Sequence, residues 1–415
     1  MALTYTVWYS FSVFFVALLE QYGWSRAASA GVFSLFVVIY GVAGAGAGAL
    51  TDRFGPQWVI SVGAAILAVG LVACSRLTDL RQFYLFFGVI CAIGSSAAGW
   101  IPCVVTVSGW FSRRLGAALG IASAGIGVGI LLLVPFTQLM INWYGWRTTY
   151  LVLAGIVLGG VAPIALFLLR GKPAELGLLK DGRKPAAAAS QESTGAVAVR
   201  PSRVVDRRWA ARAWRVSSAM KTRRYWMLFV MLVLNNIATQ MIFVHQVAFM
   251  VDGGYEKLLA ASVVGLVGFF SIGAKIGWGW VSDRLGRELT YTLGLSTMTL
   301  AVAALIGTRF VAFPLLIYLF ALTFAMAYGV ATPLGPAVGA DLFTGPRFGA
   351  IYGTIGVANG LGSAIGAWFA GYVFDVTGSY FFAFACAAGS SLLSVSAMWL
   401  VAPRKVRLVP GKVKS

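Results

Sequence analysis

The chain has 415 residues, of which 59% are hydrophobic and 11% are charged, and its formal net charge at pH 7 is +19. So large an apolar share exceeds what a water-soluble core needs and is typical of a chain whose outside faces lipid. About twelve apolar segments of roughly 18–28 residues are each long enough to cross a ~30 Å hydrocarbon layer. The composition therefore excludes a soluble globular protein and predicts an all-α integral membrane protein.

The first segment, Met1–Leu19, is close to the ~20-residue minimum for a crossing and has no Lys or Arg before it. We therefore expect the chain to begin part-way into its first helix. Six segments predict an N-terminal bundle over 1–169 and six more a C-terminal bundle over 224–401. A basic loop, 170–223, joins them, and a basic tail, 402–415, follows.

Most of the 32 Lys and Arg residues fall on one side of this topology, in the loop, in the tail and in alternate short connections. The positive-inside rule places the loop and both termini in the cytoplasm, as expected for a multi-pass protein of the plasma membrane. The basic balance then indicates contact with membrane lipid, and no nucleic-acid partner is expected. Within the loop, the stretch 203–219 is predicted to lie on the membrane surface as one basic helix.

Two short motifs recur at nearly the same spacing in the two halves. The first, G-A-L-T-D-R-F-G, ends at Gly55 and returns as G-W-V-S-D-R-L-G, which ends at Gly286. The second, R-L-G-A-A-L-G from Arg114, returns as R-F-G-A-I-Y-G from Arg347. The copies lie 231 and 233 residues apart. This spacing indicates a duplicated half, and secondary transporters are built from such repeats.

The repeated D-R-x-G turn resembles the signature of the major facilitator superfamily, and the likeness covers essentially the whole chain. The resemblance implies a 12-helix fold of two six-helix bundles that rock about a central site. It also implies that charged turn residues hold the cytoplasmic ends together, with an Asp capping a neighbouring helix. A solvated turn charge is the alternative for each Asp. The gating residues expected on this basis are Asp52, Arg53, Arg114, Asp283, Arg284, Arg287 and Arg347.

More narrowly, the chain is similar to the branch that contains monocarboxylate transporters and oxalate–formate antiporters. The residues that carry this likeness are Tyr9-Ser-Phe, Trp24-Ser-Arg26, Trp110-Phe-x-x-Arg114, Lys275 and the turn at Asp283. Members of the branch bind a small carboxylate with a cation on the eighth helix, usually arginine, where this chain has Lys275. The oxalate exchanger has a second cation on the eleventh helix, where this chain has the uncharged Ile355.

Lys275 is the residue on which the functional hypothesis depends. It lies deep in a predicted span, about 12 Å from Asp283 when eight residues are counted at ~1.5 Å each. A charge at that depth costs roughly 2.5–3.5 kcal/mol on insertion scales and normally marks a functional site. No acid lies deep in a predicted span, so the ammonium can bind a substrate carboxylate, and one positive charge favours a monocarboxylate. The alternative is a lysine that extends to the interface.

Several other residues are candidates for the same site. Ser271 lies one turn before Lys275 and could donate to the substrate, although serine also packs helices. Asn359 is a mid-helix amide that either contacts the substrate or joins two helices. The resemblance implies an aromatic cage that sizes the substrate, at Tyr9, Trp100, Tyr328 and Tyr352.

Proton coupling has two candidate carriers. His245 is the only histidine, and an imidazole titrates near neutral pH, so it could carry a proton alongside the anion. A packed or interfacial histidine is the alternative. The other route is proton release from Lys275 when the site empties.

These patterns predict proton-coupled symport of a small monocarboxylate, of the lactate or pyruvate type, by a monomer. Carboxylate exchange of the oxalate–formate type is the alternative within the fold, and a sensor that kept the fold without transporting is another. A proton-driven drug exporter is disfavoured because no deep acid is present. An enzyme is not expected, since one histidine and acids confined to helix ends supply neither a nucleophile–base pair nor metal ligands. No cofactor is expected.

Overall fold

The computed structural model describes residues 1–110, 115–169, 204–311, 315–343, 348–409 and 412, without the side chains at 45, 52, 108–109, 115–120 and 349–350. Helices account for nearly all of this part of the chain. An isolated antiparallel bridge between Val204 and Arg407 is the single β contact in it. The predicted all-α class is therefore confirmed for the described residues.

The first half contains eight helices in its described part. Their bounds are α1 Ala2–Tyr9, α2 Phe11–Tyr22, α3 Arg26–Phe54, α4 Pro56–Cys74, α5 Leu80–Phe83, α6 Ala92–Ala98, α7 Trp100–Trp110 and α8 Leu115–Pro163. π-helical turns at Tyr84–Cys91 and Ile164–Leu168 continue α5 and α8. Gly145 divides α8 into two segments, because its φ of 76° and ψ of 163° are not helical.

Two short and six long helices follow in the described part of the second half. Their bounds are α9 Arg207–Ala210, α10 Val216–Met220, α11 Arg223–Asp252, α12 Lys257–Leu285, α13 Arg287–Gly307, α14 Leu315–Leu342, α15 Phe348–Thr377 and α16 Phe381–Val401. The prediction of one basic helix over 203–219 is wrong, because α9 and α10 are separate four- and five-residue helices. Residues 170–203 of the predicted loop lie outside the described residues.

Ten helical stretches in the described residues are long and apolar enough to cross a membrane. One of them, Ile121–Leu168, contains the break at Gly145 and so holds two crossing segments. In addition, α15 has 30 residues and is about 45 Å long at ~1.5 Å per residue, which is also enough to cross. The described part of the chain thus has the twelve crossing segments that the sequence predicted.

Packing contacts divide the chain into two compact units. Unit 1 comprises Met1–Phe11 and Leu35–Arg200, and unit 2 comprises Ser12–Ser34 and Pro201–Ser415. Within unit 1, α4 packs against α6 and α8, and α1 packs along α8. Within unit 2, α11 packs against α15 and α16, while α14 packs against α12 and α13. The segment Ser12–Ser34 of the first half therefore packs with helices of the second half.

Six glycines with positive φ repeat the duplication in the backbone itself. The pairs are Gly23 and Gly254, Gly55 and Gly286, and Gly145 and Gly378, which are separated by 231, 231 and 233 residues. The middle pair closes the repeated D-R-x-G motif. Positive φ is a conformation that glycine adopts at no steric cost. The outer two pairs extend the duplication to turns that share no sequence motif beyond the glycine.

Replacing Gly286 with alanine should destabilise the protein by about 1–3 kcal/mol, because a Cβ is strained at φ 105° and ψ 157°. Gly389 in α16 provides the matched control, since a Cβ at that position meets open space and alanine favours a helix. Thermal unfolding in detergent compares the two variants. We expect a lower melting temperature for Gly286→Ala alone, and equal melting temperatures would contradict the backbone argument.

Candidate substrate-binding site

Helices α12 and α14 approach each other closely beside Lys275. A Cβ on Gly329 of α14 would lie 2.8 Å from the Cβ of Ala274 on α12. On the same pair of helices, Trp278 Nε1 donates to the Met326 carbonyl oxygen at 3.0 Å. Glycine permits this approach because small residues let membrane helices pack backbone to backbone. The approach places the residue before Gly329, which is Tyr328, next to Lys275.

The Lys275 ammonium lies over the ring of Tyr328, with Nζ 4.7 Å from the ring centroid. This distance is within the range of a cation–π contact. The ring of Tyr328 in turn packs edge-on against Phe243 of α11, with the centroids 5.5 Å apart. Phe243 is buried. Helices α11, α12 and α14 thus position the contact between two of the predicted site residues.

Lys275 has no carboxylate partner among the described residues, where the ion pairs all involve other cations. Its side chain is half-buried. At ~1.5 Å per residue, it lies about 27 Å from the start of α12 at Lys257 and about 15 Å from its end at Leu285. A ring face compensates part of the charge and leaves the ammonium able to donate hydrogen bonds to an anion.

The other predicted substrate residues of unit 2 make separate contacts. Ser271 is buried, and its Oγ donates to the Gly268 carbonyl oxygen of its own helix at 2.8 Å. Tyr352 stacks on Phe348 with the ring centroids 5.6 Å apart. Asn359 is exposed, and its Oδ1 accepts a hydrogen bond from Asn236 Nδ2 at 2.9 Å, which joins α15 to α11.

Tyr9 and Trp100 lie in unit 1. Tyr9 is buried at the end of α1, where its ring lies 6.3 Å from Tyr5 and 6.4 Å from Trp8. Tyr5 Oη shares a hydrogen bond of 2.9 Å with Tyr40 Oη. Trp100 is half-buried as the first residue of α7. Tyr9 therefore belongs to an aromatic cluster of unit 1.

The motif residues of unit 2 form an ion-pair network where α12 ends and α13 begins. Arg287 donates from Nε to Asp341 Oδ2 at 3.0 Å and from Nη1 to Asp283 Oδ1 at 2.9 Å. Arg284 lies over the ring of Trp280, at 3.5 Å from the centroid. We call Arg287 with its two carboxylates the Arg287 network.

In the corresponding turn of unit 1, Arg53 lies 5.1 Å over the ring of Phe54. The side chain of Asp52 lies outside the described part of the structure, as do Arg114 and Arg347. The gating roles predicted for these three residues stay predictions.

A second charged network lies at the opposite end of unit 2, around Arg26 at the start of α3. Arg26 Nη1 and Nη2 bind the two oxygens of Asp252 at 2.8 and 2.9 Å. Nη1 also donates to Tyr380 Oη at 2.7 Å. The guanidinium lies 3.9 Å over the ring of Phe374. This geometry is a bidentate ion pair supported by aromatic faces, which are the strong contacts of arginine.

Asp375 caps the start of α3 in the same network. Its two carboxylate oxygens accept hydrogen bonds from the backbone N–H of Arg26 at 2.8 Å and of Ala27 at 2.7 Å. Two of the donors that a helix start leaves unpaired are satisfied in this way. A carboxylate at this end also interacts favourably with the helix dipole.

His245 is joined to Arg26 through Tyr380 and is fully buried. Its Nδ1 lies 3.0 Å from Tyr380 Oη, and its Nε2 lies 2.8 Å from the Ala367 carbonyl oxygen. A carbonyl oxygen only accepts, so we assign the ring hydrogen to Nε2. Tyr380 then accepts from Arg26 and donates to Nδ1. We call Arg26, Asp252, Asp375, Tyr380 and His245 the Arg26 network.

Of this group, the sequence predicted a role for His245 alone. Arg26 was one of the residues that carried the family likeness, but it received no role. Asp375 is one of the acids that lie near helix ends, and no role was predicted for it. The partners of Arg26 lie 226 residues away at Asp252 and 349 residues away at Asp375. In the sequence, the one indication of this network was the motif Trp24-Ser-Arg26, which carried part of the family likeness.

Comparison with known proteins places the chain in a family. The family model of the Major Facilitator Superfamily matches residues 1–334 and 276–415, and the chain belongs to that superfamily. It is thus a multi-pass membrane protein of a transporter family, and its relatives are transporters and not enzymes.

Among its relatives, monocarboxylate transporter 13 of Bos taurus is 26% identical over 97% of this chain and 86% of its own length. Monocarboxylate transporter 4 of Gallus gallus is 26% identical over 90% of this chain and 74% of its own length. The predicted likeness to this branch is therefore confirmed.

Solved structures with the same fold include a D-xylose-proton symporter, with a TM-score of 0.67 and 15% identity over 97% of both chains. A second is a bacterial homolog of the human lysosomal transporter Spinster, in an inward-facing and occupied conformation. It has a TM-score of 0.64 and 16% identity, over 97% of this chain and 94% of that chain. Likenesses at this identity support the fold alone.

Replacing Asp375 with alanine should lower the stability of the protein by about 0.5–2 kcal/mol, because the N–H groups of Arg26 and Ala27 lose their acceptors. Asp375→Asn is the matched control, since its amide keeps one acceptor oxygen. Thermal unfolding in detergent should rank the stabilities as wild type, then asparagine, then alanine. Equal losses for the two variants would argue against the capping role.

Proposed function

We propose that this protein carries a small monocarboxylate, of the lactate or pyruvate type, together with a proton across the membrane by alternating access. Membership of the superfamily supports a transporter, and the names of the relatives at 25–27% identity support a carboxylate substrate. In this proposal the transporter has two six-helix bundles, residues 1–169 and 224–401. The loop 170–223 joins them, and the tail 402–415 follows the second bundle. The functional unit is a monomer in the plasma membrane, with both termini in the cytoplasm.

The observation that carries the proposal is the Lys275 ammonium over the Tyr328 ring, without a carboxylate partner among the described residues. A cation near the middle of a membrane-spanning helix needs an anion for full compensation. A substrate carboxylate supplies that anion and accepts hydrogen bonds from Nζ. Tyr328 then fixes the direction from which the carboxylate approaches, because one face of the ammonium already lies against the ring.

A dicarboxylate exchanger is disfavoured by the packing of Ile355. This residue occupies the position at which the oxalate exchanger of the branch has its second cation. It is fully buried in the apolar cluster of unit 2, together with Leu232, Leu334 and Ile351. Since this position carries no charge, Lys275 offers one positive charge to one negative charge. Oxalate–formate exchange is therefore the alternative and not the primary proposal.

Alternating access requires contacts at two ends that form and break in turn. We assign these roles to the Arg287 network at one end of unit 2 and to the Arg26 network at the other. The motif residues Asp52, Arg53, Arg114, Arg284 and Arg347 are proposed to act with Arg287. The Arg26 pair with Asp252 is bidentate, whereas Arg287 divides its bonds between Asp283 and Asp341. In this proposal both sets of directional contacts break as the site changes the side to which it opens.

Proton coupling is assigned to His245. In the arrangement described above, a neutral imidazole satisfies every hydrogen bond, since Nε2 donates to Ala367 and Nδ1 accepts from Tyr380. A second proton on Nδ1 would reverse the bond with Tyr380 and add a positive charge beside Arg26. Two acids face this charge. Asp252 is paired with the Arg26 guanidinium, and Asp375 accepts a hydrogen bond from the backbone N–H at the start of α3. Protonation should therefore loosen the Arg26 network.

Replacing Lys275 with alanine should weaken substrate binding, because the cation of the proposed site is lost. The expected fall in affinity is about tenfold to a hundredfold, as for a lost charge-assisted hydrogen bond. The measurement is uptake of radiolabelled L-lactate into proteoliposomes with and without an inward proton gradient. Lys275→Arg, which keeps the charge, should retain part of the uptake.

Lys257→Ala is the matched control on the same helix, because Lys257 is exposed and pairs with Glu20 at the helix start. Its uptake should equal that of the wild type. Undiminished lactate uptake by Lys275→Ala would sink the central claim. Uptake of oxalate in exchange for formate, without any pH dependence, would instead favour the antiport alternative.

Replacing His245 with glutamine should separate proton coupling from substrate binding, because the amide can occupy the space but cannot gain a proton. We expect gradient-driven uptake to fall while lactate–lactate counterflow persists. Tyr380→Phe, which removes only the hydroxyl between His245 and Arg26, should also lower gradient-driven uptake. Uptake by this variant should therefore depend less on pH than uptake by the wild type. Gradient-driven uptake that survives in both variants would assign the proton to Lys275.

A further inference from the structure

Two segments of unit 2, residues 204–224 and 402–409, form a clasp at the end where α11 begins. Val205 and Asp206 donate from their backbone N–H to the Val406 carbonyl oxygen at 2.9 and 3.3 Å. Val204 and Arg407 form an antiparallel bridge beside these bonds. The end of the central loop and the start of the C-terminal tail are thus held together by backbone contacts.

Two tryptophans anchor the clasp to the helices. Trp209 Nε1 donates to the Leu342 carbonyl oxygen at the end of α14, at 2.7 Å. Trp214 is buried and packs edge-on against Phe343, with the ring centroids 5.1 Å apart. The two tryptophan rings lie 4.7 Å from each other. The clasp is therefore a packed structure on α14, and its side chains have defined positions.

Three hydrogen-bond donors of the clasp are buried without a partner among the described residues. They are Trp214 Nε1, Arg224 Nη1 and Arg407 Nε. The Arg224 guanidinium lies 4.4 Å over the ring of Trp209, the same ring that Trp214 contacts. Buried donors are rarely left unpaired, because each costs about 1–3 kcal/mol. The neighbouring acid, Asp206, uses its Oδ1 to accept from the Trp209 backbone at 2.9 Å. The described residues supply no acceptor for these donors, and a bound anion would supply one.

The surroundings of these donors indicate which acceptor fits. Basic side chains are exposed around them, at Arg207, Arg208, Arg212, Arg215, Lys221, Arg223, Arg404 and Lys405. Exposed apolar side chains accompany them, with Val205 at 52%, Met220 at 39% and Trp226 at 45% exposure. The crossing segment of α11 begins at Arg223, where the first segment of the clasp ends. A cationic surface with apolar side chains beside a crossing helix matches the headgroup layer of a membrane.

We propose that the clasp binds the phosphate group of an anionic membrane lipid, with Arg224 and Trp214 as hydrogen-bond donors. A phosphate has several acceptor oxygens and pairs well with a guanidinium. Arg407 adds a third donor from the tail. The lipid then holds the loop and the tail together at the start of α11.

The test uses the purified full-length protein in an uncharged detergent. Phosphatidylglycerol and phosphatidylcholine are titrated, and binding is followed by native mass spectrometry and by melting temperature. We expect phosphatidylglycerol to bind and to raise the melting temperature, because a ligand specific for the folded state stabilises it. Phosphatidylcholine should do neither. Arg224→Gln and Trp214→Phe should each weaken phosphatidylglycerol binding about tenfold, as for one lost hydrogen bond to a charged group. Trp214→Phe keeps the packed ring and removes only the donor.

Arg208→Gln is the matched control, since Arg208 is exposed in the same segment and its loss changes the net charge equally. Its binding of phosphatidylglycerol should stay close to that of the wild type. Equal losses in Arg224→Gln and Arg208→Gln, with no loss in Trp214→Phe, would reduce the clasp to a diffuse basic surface and overturn the site. Equal binding of both lipids, or equal stabilisation by inorganic phosphate alone, would overturn the lipid assignment. The readouts involve no transport, so they stand apart from the test of Lys275.

Discussion

The approach of α12 and α14 at Gly329 and Ala274 is the constraint on which the proposed site depends. It lets the ring of Tyr328 cover one side of the Lys275 ammonium, so a charge can be held within an apolar bundle. The ring face attracts the cation but offers no formal charge. The positive charge of Lys275 can therefore still attract an anion that enters and leaves the site. A permanent aspartate partner in the same place would have excluded that anion.

At each end of unit 2 an arginine is neutralised by carboxylates, but the residues around the two arginines differ. Arg287 binds the side chains of Asp283 and Asp341 near the turn that carries the repeated motif. Arg26 binds Asp252 within a group of aromatic rings and continues through Tyr380 to a buried histidine. The one histidine of the chain lies at the Arg26 end, so the protonation proposed above would add positive charge at that end and not at the Arg287 end.

The fold was predictable because apolar length and repeat spacing are local properties of the sequence. Lys275 was predictable for the same reason, since one charge in an apolar segment is conspicuous without any knowledge of its neighbours. Tyr328 followed from the family likeness. The Arg26 network was not predictable, because acids at helix ends resemble solvated turn charges until long-range packing brings them together. The bond between Ser271 and Gly268 was equally invisible, since spacing shows which face a hydroxyl occupies but not which acceptor it chooses.

The paired glycine turns have a consequence for the dimensions of the chain. The stretch from Gly23 to Gly55 is as long as the stretch from Gly254 to Gly286, and the next interval in each half differs by two residues. Bilayer thickness fixes how many residues one crossing needs, and it is the same for both halves. Length changes inside a crossing would move a turn into hydrocarbon, whereas the long central connection is free of this limit. Insertions can therefore lengthen the central connection, while the intervals between turns stay nearly fixed within each half.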